Sequence, residues 1–193
     1  MSTFRSLALA IALGTVTIAP DARAQSRQPW SLQGSVLYTA QDLGGSAGTI
    51  GGVGVEAQLR RTFPRWSLGG GVQYSTHSSG PDDLSLTGFF VEPRLIIPVP
   101  AGPFAPYLAG RLAFLRGSLD AGAVDGSGSS SGLAFGAGAG LIYGLTQRVN
   151  FDIGGAVLRQ SLSNITLDDV DRREVEFPSF LGYVLKAGFS IGF

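Results

Sequence analysis

Hydrophobic and polar residues alternate along most of this chain with a period of two residues. Residues 181–193 show the pattern most clearly, because every second residue from Leu181 to Phe193 is apolar. The residues between them are glycine, serine and lysine, with one valine. A period of two is typical of a β-strand with one apolar face, since successive side chains point to opposite sides. Lys186, the only lysine of the chain, lies on the other face.

Seven further segments show the same two-faced pattern. They are residues 30–41, 49–60, 65–76, 84–97, 104–116, 133–145 and 148–160. Strands of this length are long for a soluble sheet and match the length needed to cross a bilayer at a tilt. An even number of such strands is typical of a closed antiparallel barrel.

The connections between these segments alternate in length. Three are short ("RTFPR", "PVPAGP" and "LTQR"). The other four, which alternate with them along the chain, are longer and polar. This order places all long loops at one end of an up-and-down barrel, as in bacterial outer-membrane barrels, whose short turns are periplasmic. The predicted fold is therefore all-β: an eight-stranded antiparallel up-and-down transmembrane β-barrel with four long outer loops and three short periplasmic turns.

The alternation alone does not decide which face is inside, since soluble lipocalins are also eight-stranded barrels. The charged residues favour a polar interior, because glycines beside them leave room for long side chains and acids can pair with bases there. A buried charge must be paired to avoid a cost of several kcal/mol or more. We therefore expect a largely closed lumen filled by a network of salt bridges. Its predicted members are Glu56, Arg60, Glu92, Arg94, Arg111, Asp152 and Lys186.

Aromatic residues on the apolar face are predicted to form two girdles at the membrane interfaces. One includes Trp30, Trp66 and Tyr143 near the short turns, and the other includes Tyr38, Tyr74 and Phe114 near the long loops. Pro93 fits this barrel poorly, because proline cannot donate a ladder hydrogen bond. We expect a bulge or a locally broken pairing there.

Composition supports export and excludes several function classes. The chain has 193 residues, a mean hydropathy of +0.24 and a formal net charge of zero, so nothing indicates nucleic-acid binding. The absence of cysteine excludes disulfides and thiol catalysis. Residues 1–24 have the features of a cleaved signal peptide: Arg5, an apolar run and the site "ARA". Residues 25–193 then form one barrel domain.

The stretches "FFVEPRLIIPVPAGPFAPYLAGRLAFL" and "GLAFGAGAGLIYGLTQRVNFDIGG" resemble hairpins of the small outer-membrane β-barrel family. This family includes the membrane domain of outer membrane protein A, OmpX and opacity-type proteins. The final "KAGFSIGF" resembles the C-terminal sorting signal of such barrels, carried here by Lys186, Gly188, Ile191 and Phe193. The resemblance implies an outer-membrane location, and it implies that the barrel-assembly machinery recognises the last strand.

Other candidate sites are weaker. His77 is interpreted as a solvated loop residue and not as a catalytic base, because a nucleophile and base need a fixed geometry. The acidic residues of the last long loop, Asp168 to Glu176, lack the spacing of a calcium loop, so no metal is expected. Arg116 and Arg159 lie on the apolar face near the outer rim, where arginines contact lipid phosphates. The hypothesis for these two residues is contact with lipopolysaccharide.

The interpretation that these features favour is a monomeric outer-membrane barrel with a structural or surface-interaction role in the cell envelope and no enzymatic activity or cofactor. Three alternatives remain open at this point. The chain could form a small low-conductance pore, act as an outer-membrane lipid-modifying enzyme, or serve as a soluble lipocalin-like carrier.

Overall fold

The computed structural model describes residues 28–42, 48–79, 82–99, 102–121, 126–163, 165–167, 174–175 and 179–193. The predicted signal peptide lies outside these ranges. Within them, no helix is long and apolar enough to cross a membrane.

The described residues form ten strands, eight of them long. The long strands are β1 (Trp30–Asp42), β2 (Thr49–Thr62), β3 (Trp66–Ser79), β4 (Asp82–Ile96), β5 (Phe104–Ala121), β6 (Gly126–Gly144), β7 (Val149–Leu162) and β10 (Phe180–Gly192). The two short strands, β8 (Ile165–Leu167) and β9 (Glu174–Val175), lie in the connection between β7 and β10.

The eight long strands close into an antiparallel barrel. Their order is β5-β4-β3-β2-β1-β10-β7-β6, and β6 pairs with β5 to complete the ring. The first and last strands meet in a continuous ladder, and the Phe193 amide extends it by donating to the Trp30 carbonyl at 2.9 Å. The prediction of a closed eight-stranded antiparallel barrel is confirmed. A closed sheet leaves no unpaired edge, which membrane crossing requires.

Two of the four predicted long loops are mostly strand. Strands β3 and β4 pair out to Ser79 and Asp82, and strands β5 and β6 pair out to Ala121 and Gly126. A strand need not end where its apolar face ends, because the backbone hydrogen bonds between neighbours continue through polar residues. We call the end of the barrel that carries these hairpins the long-loop end. The opposite end, where residues 63–65, 97–103 and 145–148 connect successive strands, is the short-turn end.

Pro93 interrupts the ladder without shifting it. Strand β4 pairs with β5 from Asp82 to Val91 and again from Arg94, in the same register, and the two positions between are unpaired. On the other side Pro93 pairs normally with Leu68 in β3. Of the two expected outcomes, a locally broken pairing is therefore present and a bulge is not.

The barrel has an apolar outer surface and a polar layer inside. On the outer face Val36 is 63% exposed and Leu185 is 60% exposed, whereas Glu92 and Arg94 on the inner face are each 2% exposed. The arrangement is the reverse of a soluble carrier barrel, which buries its apolar face. An apolar outer belt of this extent needs a lipid or detergent environment.

The lumen also contains apolar clusters, which the expectation of a salt-bridged interior did not include. One cluster joins Leu37, Leu158 and Val184. A larger one comprises Phe90, Ala113, Leu115, Ala134, Leu162 and Phe180. A third, near the short turns, comprises Ile96, Ala105 and Tyr107. The interior therefore combines charged residues with apolar packing and with buried neutral polar side chains such as Gln41 and Gln160.

Glycines at inner positions of β6 and β7 make room for Tyr107. A Cβ atom added at Gly154 would lie 2.5 Å from the Tyr107 hydroxyl, and one at Gly140 would overlap the same group. Both positions face the lumen opposite the phenol ring. Tyr107 is 2% exposed as a result.

Substitution Gly154→Ala should destabilise the barrel by about 1–3 kcal/mol, the usual cost of inserting a methyl group into a packed interior. The loss should shrink in a Tyr107→Phe background, because the colliding hydroxyl is then absent. Urea unfolding of the refolded protein measures both. Gly34→Ala is the matched control, since a Cβ there meets nothing within 4 Å. Equal losses at Gly34 and Gly154 would contradict this account.

Candidate functional site

Glu92 is the central acceptor of a charged layer that crosses the lumen. Its Oε1 lies 3.0 Å from Arg60 Nη2 and 2.8 Å from Arg94 Nε. Its Oε2 lies 3.1 Å from Arg111 Nη1 and 2.9 Å from Lys186 Nζ. One carboxylate therefore contacts four cations, and all five side chains are buried.

Two further carboxylates extend this layer. Glu56 Oε2 accepts from Arg111 Nη2 at 2.9 Å, and Glu56 Oε1 lies 3.5 Å from Lys186 Nζ. Asp152 Oδ2 accepts from Arg94 Nη1 at 2.5 Å. All seven residues that the sequence indicated face the lumen and belong to one connected set, which we call the charged layer. Lys186 contacts Glu92 and Glu56 but forms no ion pair with Asp152 among the described contacts.

Neutral side chains satisfy several of the remaining donors and acceptors. Arg60 donates to Gln58 Oε1 at 2.6 Å and to Ser67 Oγ at 3.0 Å. Arg111 donates to Gln73 Oε1 at 2.6 Å, and the Tyr107 hydroxyl donates to Asp152 Oδ1 at 3.0 Å. Such bonds are what allow charges to remain buried, because an unpaired charge in this setting is strongly destabilising.

Aromatic rings cover two of the guanidinium groups. The Arg94 guanidinium carbon lies 4.1 Å from the centroid of the Tyr107 ring, and that of Arg111 lies 3.6 Å from the Phe90 ring. Cation–π contact of a desolvated cation is worth about 2 kcal/mol or more. Phe90 belongs to the large apolar cluster, so the charged layer rests directly on apolar packing.

The strands explain why these side chains meet. Every second residue of a strand faces the lumen, and the charged layer draws members from β2, β4, β5, β7 and β10. Strand β6 instead contributes Gly136, Gly138 and Gly140 at its inner positions. The space that these glycines leave is taken by side chains from neighbouring strands. The layer can therefore cross-link five strands within one narrow lumen.

His77 does not occupy a solvated loop, contrary to the sequence interpretation. It lies in β3, is 1% exposed, and its Nε2 is 2.8 Å from the Thr39 hydroxyl. The error arose because the paired part of β3 continues to Ser79 through polar residues. A hydroxyl and an imidazole in contact resemble a nucleophile and its base, but Thr39 is itself only 3% exposed, which denies a substrate access.

The girdle residues lie on the outer face. Trp30, Trp66 and Tyr143 lie toward the short-turn end of their strands, and Tyr38, Tyr74 and Phe114 lie farther toward the long-loop end. At the short-turn end, Phe63 stacks on Trp66 with ring centroids 3.9 Å apart. The Arg61 guanidinium lies between Trp30 and Phe63, 5.4 Å and 5.1 Å from the ring centroids.

The residues of the candidate sorting signal occupy both faces of β10. Ile191 and Phe193 are 58% and 62% exposed on the outer face, whereas Lys186 and Gly188 face the lumen. Gly188 pairs with Ser35, and an added Cβ would overlap the backbone of β1 there. The glycine therefore permits close contact between the first and last strands.

Arg116 and Arg159 are exposed on the outer face, on the two strands that flank β6. Arg159 Nη2 donates to Ser179 Oγ at 3.1 Å. The acidic residues of the last loop fall mainly outside the described residues. Among the described ones, no group of three or more histidine or acidic residues is placed to hold a metal ion.

Sequence reasoning missed Tyr107 and the apolar members of the lumen. The pattern of alternation could have found them, because Tyr107 has the same parity as Arg111 on β5, and Phe90 has the same parity as Glu92 on β4. The inward face was recognised by its charges, so its apolar residues were not assigned. Their role as packing partners of the cations depends on contacts between strands that are distant in sequence.

Comparison with solved structures finds the same fold in small outer-membrane barrels. Neisserial surface protein A (NspA) matches with a TM-score of 0.68 and 17% identity, over 86% of this chain and 97% of that one. Ail, the attachment invasion locus protein of Yersinia pestis, matches with a TM-score of 0.55 and 14% identity, over 84% and 97%. The N-terminal β-barrel domain of Pseudomonas aeruginosa OprF gives 0.50 and 15%, over 85% and 98%.

No protein-family model and no curated protein matches the chain. Identities this low show likeness of fold alone. The chain therefore has the architecture of the small eight-stranded outer-membrane barrels, as its sequence resemblance indicated.

Substitution Glu92→Gln should destabilise the barrel by about 3–5 kcal/mol, because it leaves four buried cations with two carboxylates. Urea unfolding, monitored by the gel mobility of the folded barrel, measures the loss as a shift of the unfolding midpoint. Glu56→Gln is the matched control, since Glu56 takes part in two ion pairs instead of four, and its loss should be smaller. A Glu56 variant as unstable as the Glu92 variant would contradict the central position of Glu92.

Proposed function

We propose that this chain is an outer-membrane protein whose closed barrel anchors and presents the long-loop end, with a structural or surface-interaction role in the cell envelope. The observation that carries this proposal is the inside-out distribution of side chains: an apolar outer belt around a buried charged layer. The fold comparisons support the membrane setting. Ail is the attachment invasion locus protein of its organism, and by analogy the long-loop end is proposed as a contact surface here.

The lumen is proposed to be closed to ions. The charged layer links side chains from five strands across it, and ion movement would require breaking several buried pairs at once. The apolar cluster around Phe90 and Phe180 lies against the same layer, and an apolar constriction opposes the entry of water and ions. The charged layer and the apolar cluster beside it are thus proposed to act as two successive barriers to ions in the lumen.

Enzymatic activity is not part of the proposal. The one hydroxyl–imidazole contact among the described residues, Thr39 with His77, is buried at both members. A general base must reach the proton it abstracts within hydrogen-bond distance, in a pose the substrate can adopt. Nothing on the outer surface of the described strands offers a comparable pair.

Biogenesis is proposed to depend on the last strand. Ile191 and Phe193 are exposed on the outer face of β10, where the barrel-assembly machinery could bind them before the barrel closes. Lys186 and Gly188 have a different part in this proposal, because they face the lumen and fit β10 against β1. The completed barrel is proposed to be a monomer in outer-membrane lipid.

Arg116 and Arg159 are proposed to contact lipopolysaccharide phosphates. Replacing both by alanine should remove the stabilisation that lipopolysaccharide adds to the barrel, because their charges are the outward-facing cations nearest the long-loop end among the described residues. Urea unfolding with and without lipopolysaccharide measures this. Arg61→Ala, which removes a charge at the opposite end, should keep the full stabilisation. An unchanged lipid effect in the double variant would overturn the proposal.

Planar-bilayer recording should show no stable conductance steps from the purified barrel, because the charged layer and the apolar clusters block the lumen. Heat-modifiable gel mobility of the same reconstituted material provides the control for correct insertion. Discrete steps would favour a low-conductance pore. In that case Lys186→Met should change the step size if ions pass through the lumen, and leave it unchanged if they leak around the barrel.

A further inference from the structure

The charged layer carries more positive than negative charge. Four cations, Arg60, Arg94, Arg111 and Lys186, face three carboxylates, and all seven are buried. These are the charged residues that the described strands place inside the lumen at this level, and the nearby Tyr107 acts as a neutral hydrogen-bond donor to Asp152. The layer therefore has one positive charge in excess. A buried charge without a counter-charge is costly, so its compensation needs an explanation.

A small polar chamber adjoins the layer on its short-turn side. It has a volume of about 30 Å³. Arg60, Arg94, Asn150, Asp152 and Ser190 line it, together with further serine, threonine and glutamine side chains and two isoleucines. One water-sized species needs roughly 10–15 Å³ measured in this way. The chamber is therefore large enough for one small ion and too small for sulfate or phosphate.

Both cations that line the chamber have an unsatisfied donor, and so does Arg111 at its Nε, although Arg111 is not part of the lining. Arg60 Nε and Arg94 Nη2 are buried and have no hydrogen-bond partner among the described residues. Both side chains are more than nine-tenths buried, at 5% and 2% exposure. Guanidinium nitrogens are donors only, so the group that completes their hydrogen bonding must be an acceptor.

The Asn150 side chain also has an unsatisfied group and can supply a donor to an acceptor in the chamber. Its Oδ1 is buried without a partner, and its Nδ2 lies 3.4 Å from Ser190 Oγ. A 180° flip of the amide lets the oxygen accept from the serine hydroxyl and presents the NH₂ group as a further donor. Both ends of the amide are then satisfied when an acceptor occupies the chamber.

Asp152 is the one lining residue that would repel an anion. Its two oxygens already accept hydrogen bonds, Oδ2 from Arg94 and Oδ1 from Tyr107. The Arg94 guanidinium offsets the charge of this carboxylate directly. The chamber lining then has two cations, Arg60 and Arg94, against this one carboxylate, and Arg60 also pairs with Glu92 at 3.0 Å.

We propose that this chamber binds a single small monovalent anion of the size of chloride, which neutralises the excess positive charge of the charged layer. The anion accepts hydrogen bonds from the two guanidinium groups, from the Asn150 amide and from the surrounding serine hydroxyls. It is thereby a structural part of the folded barrel. The proposal does not depend on the role of the protein in the envelope, because it concerns the lumen alone.

The test is the dependence of barrel stability on chloride at constant ionic strength. The protein is refolded into neutral detergent in sodium gluconate, whose anion is too large for the chamber, and chloride then replaces gluconate stepwise. A site of millimolar affinity should shift the unfolding equilibrium constant by about 100-fold at 100 mM chloride. A stability independent of chloride, as expected if water fills the chamber, would overturn the proposal.

Two variants separate this site from general salt effects. Ser190→Asp places a fixed carboxylate in the chamber, so it should abolish the chloride dependence while preserving the fold in gluconate. Arg61→Gln removes a positive charge from the outer surface at the same end and should keep the full dependence. Equal chloride dependence in wild type and Ser190→Asp would show that the effect arises elsewhere.

A direct measurement covers the case in which Ser190→Asp fails to fold. Wild-type crystals grown with bromide in place of chloride should show an anomalous scattering peak between Arg60, Arg94 and Asn150. Absence of a peak overturns the proposal. A peak together with chloride-independent stability means an adventitious ion only, bound at crystal concentration, and overturns it as well.

Discussion

The structure depends on the contact of one carboxylate, Glu92, with four cations inside a closed sheet. The four cations come from β2, β4, β5 and β10, and the link from Arg94 to Asp152 adds β7. Removal of charges from water is expensive, and the barrel offsets that cost with many close pairs, neutral hydrogen-bond partners and aromatic covers. The layer thereby joins strands that the backbone ladder connects only through their neighbours. The charged layer stabilises the barrel from its interior, where a soluble protein would have an apolar core.

That interior arrangement determines where the glycines are needed. Long cationic side chains and Tyr107 extend across the lumen from β2, β4, β5 and β10, so the facing inner positions of β6 and β7 must be small. Gly154 and Gly140 provide that space beside the phenol ring. Beyond the charged layer, the apolar clusters around Leu158 and Phe90 share the lumen with buried polar pairs such as Gln41 with Gln160. The interior is therefore a mixture of polar and apolar packing and is not a uniform polar channel.

The outer surface is simpler, because lipid accepts any apolar side chain of suitable size. Large hydrophobic residues cover it, and the aromatic residues lie toward its two margins. The long-loop end differs from the expected set of four loops, since paired strands extend into two of them. Extended hairpins present a stiffer surface than open loops.

The sequence by itself determined the fold class, the strand count and the identity of the seven charged lumen residues, because a period of two assigns every side chain to one of two faces. It also located Pro93 as a point where the pairing is irregular, since the missing N–H is a property of the residue itself, and the structure decided that the pairing is broken and not bulged. Only the tertiary structure decided which acid pairs with which base, because those partners come from strands far apart in the chain. It alone also revealed the covering of the cations by Phe90 and Tyr107 and the burial of His77. The covering rings and the cations come from different strands, and His77 is buried because β3 and β4 stay paired beyond it to Ser79 and Asp82. The alternation along a single strand encodes neither.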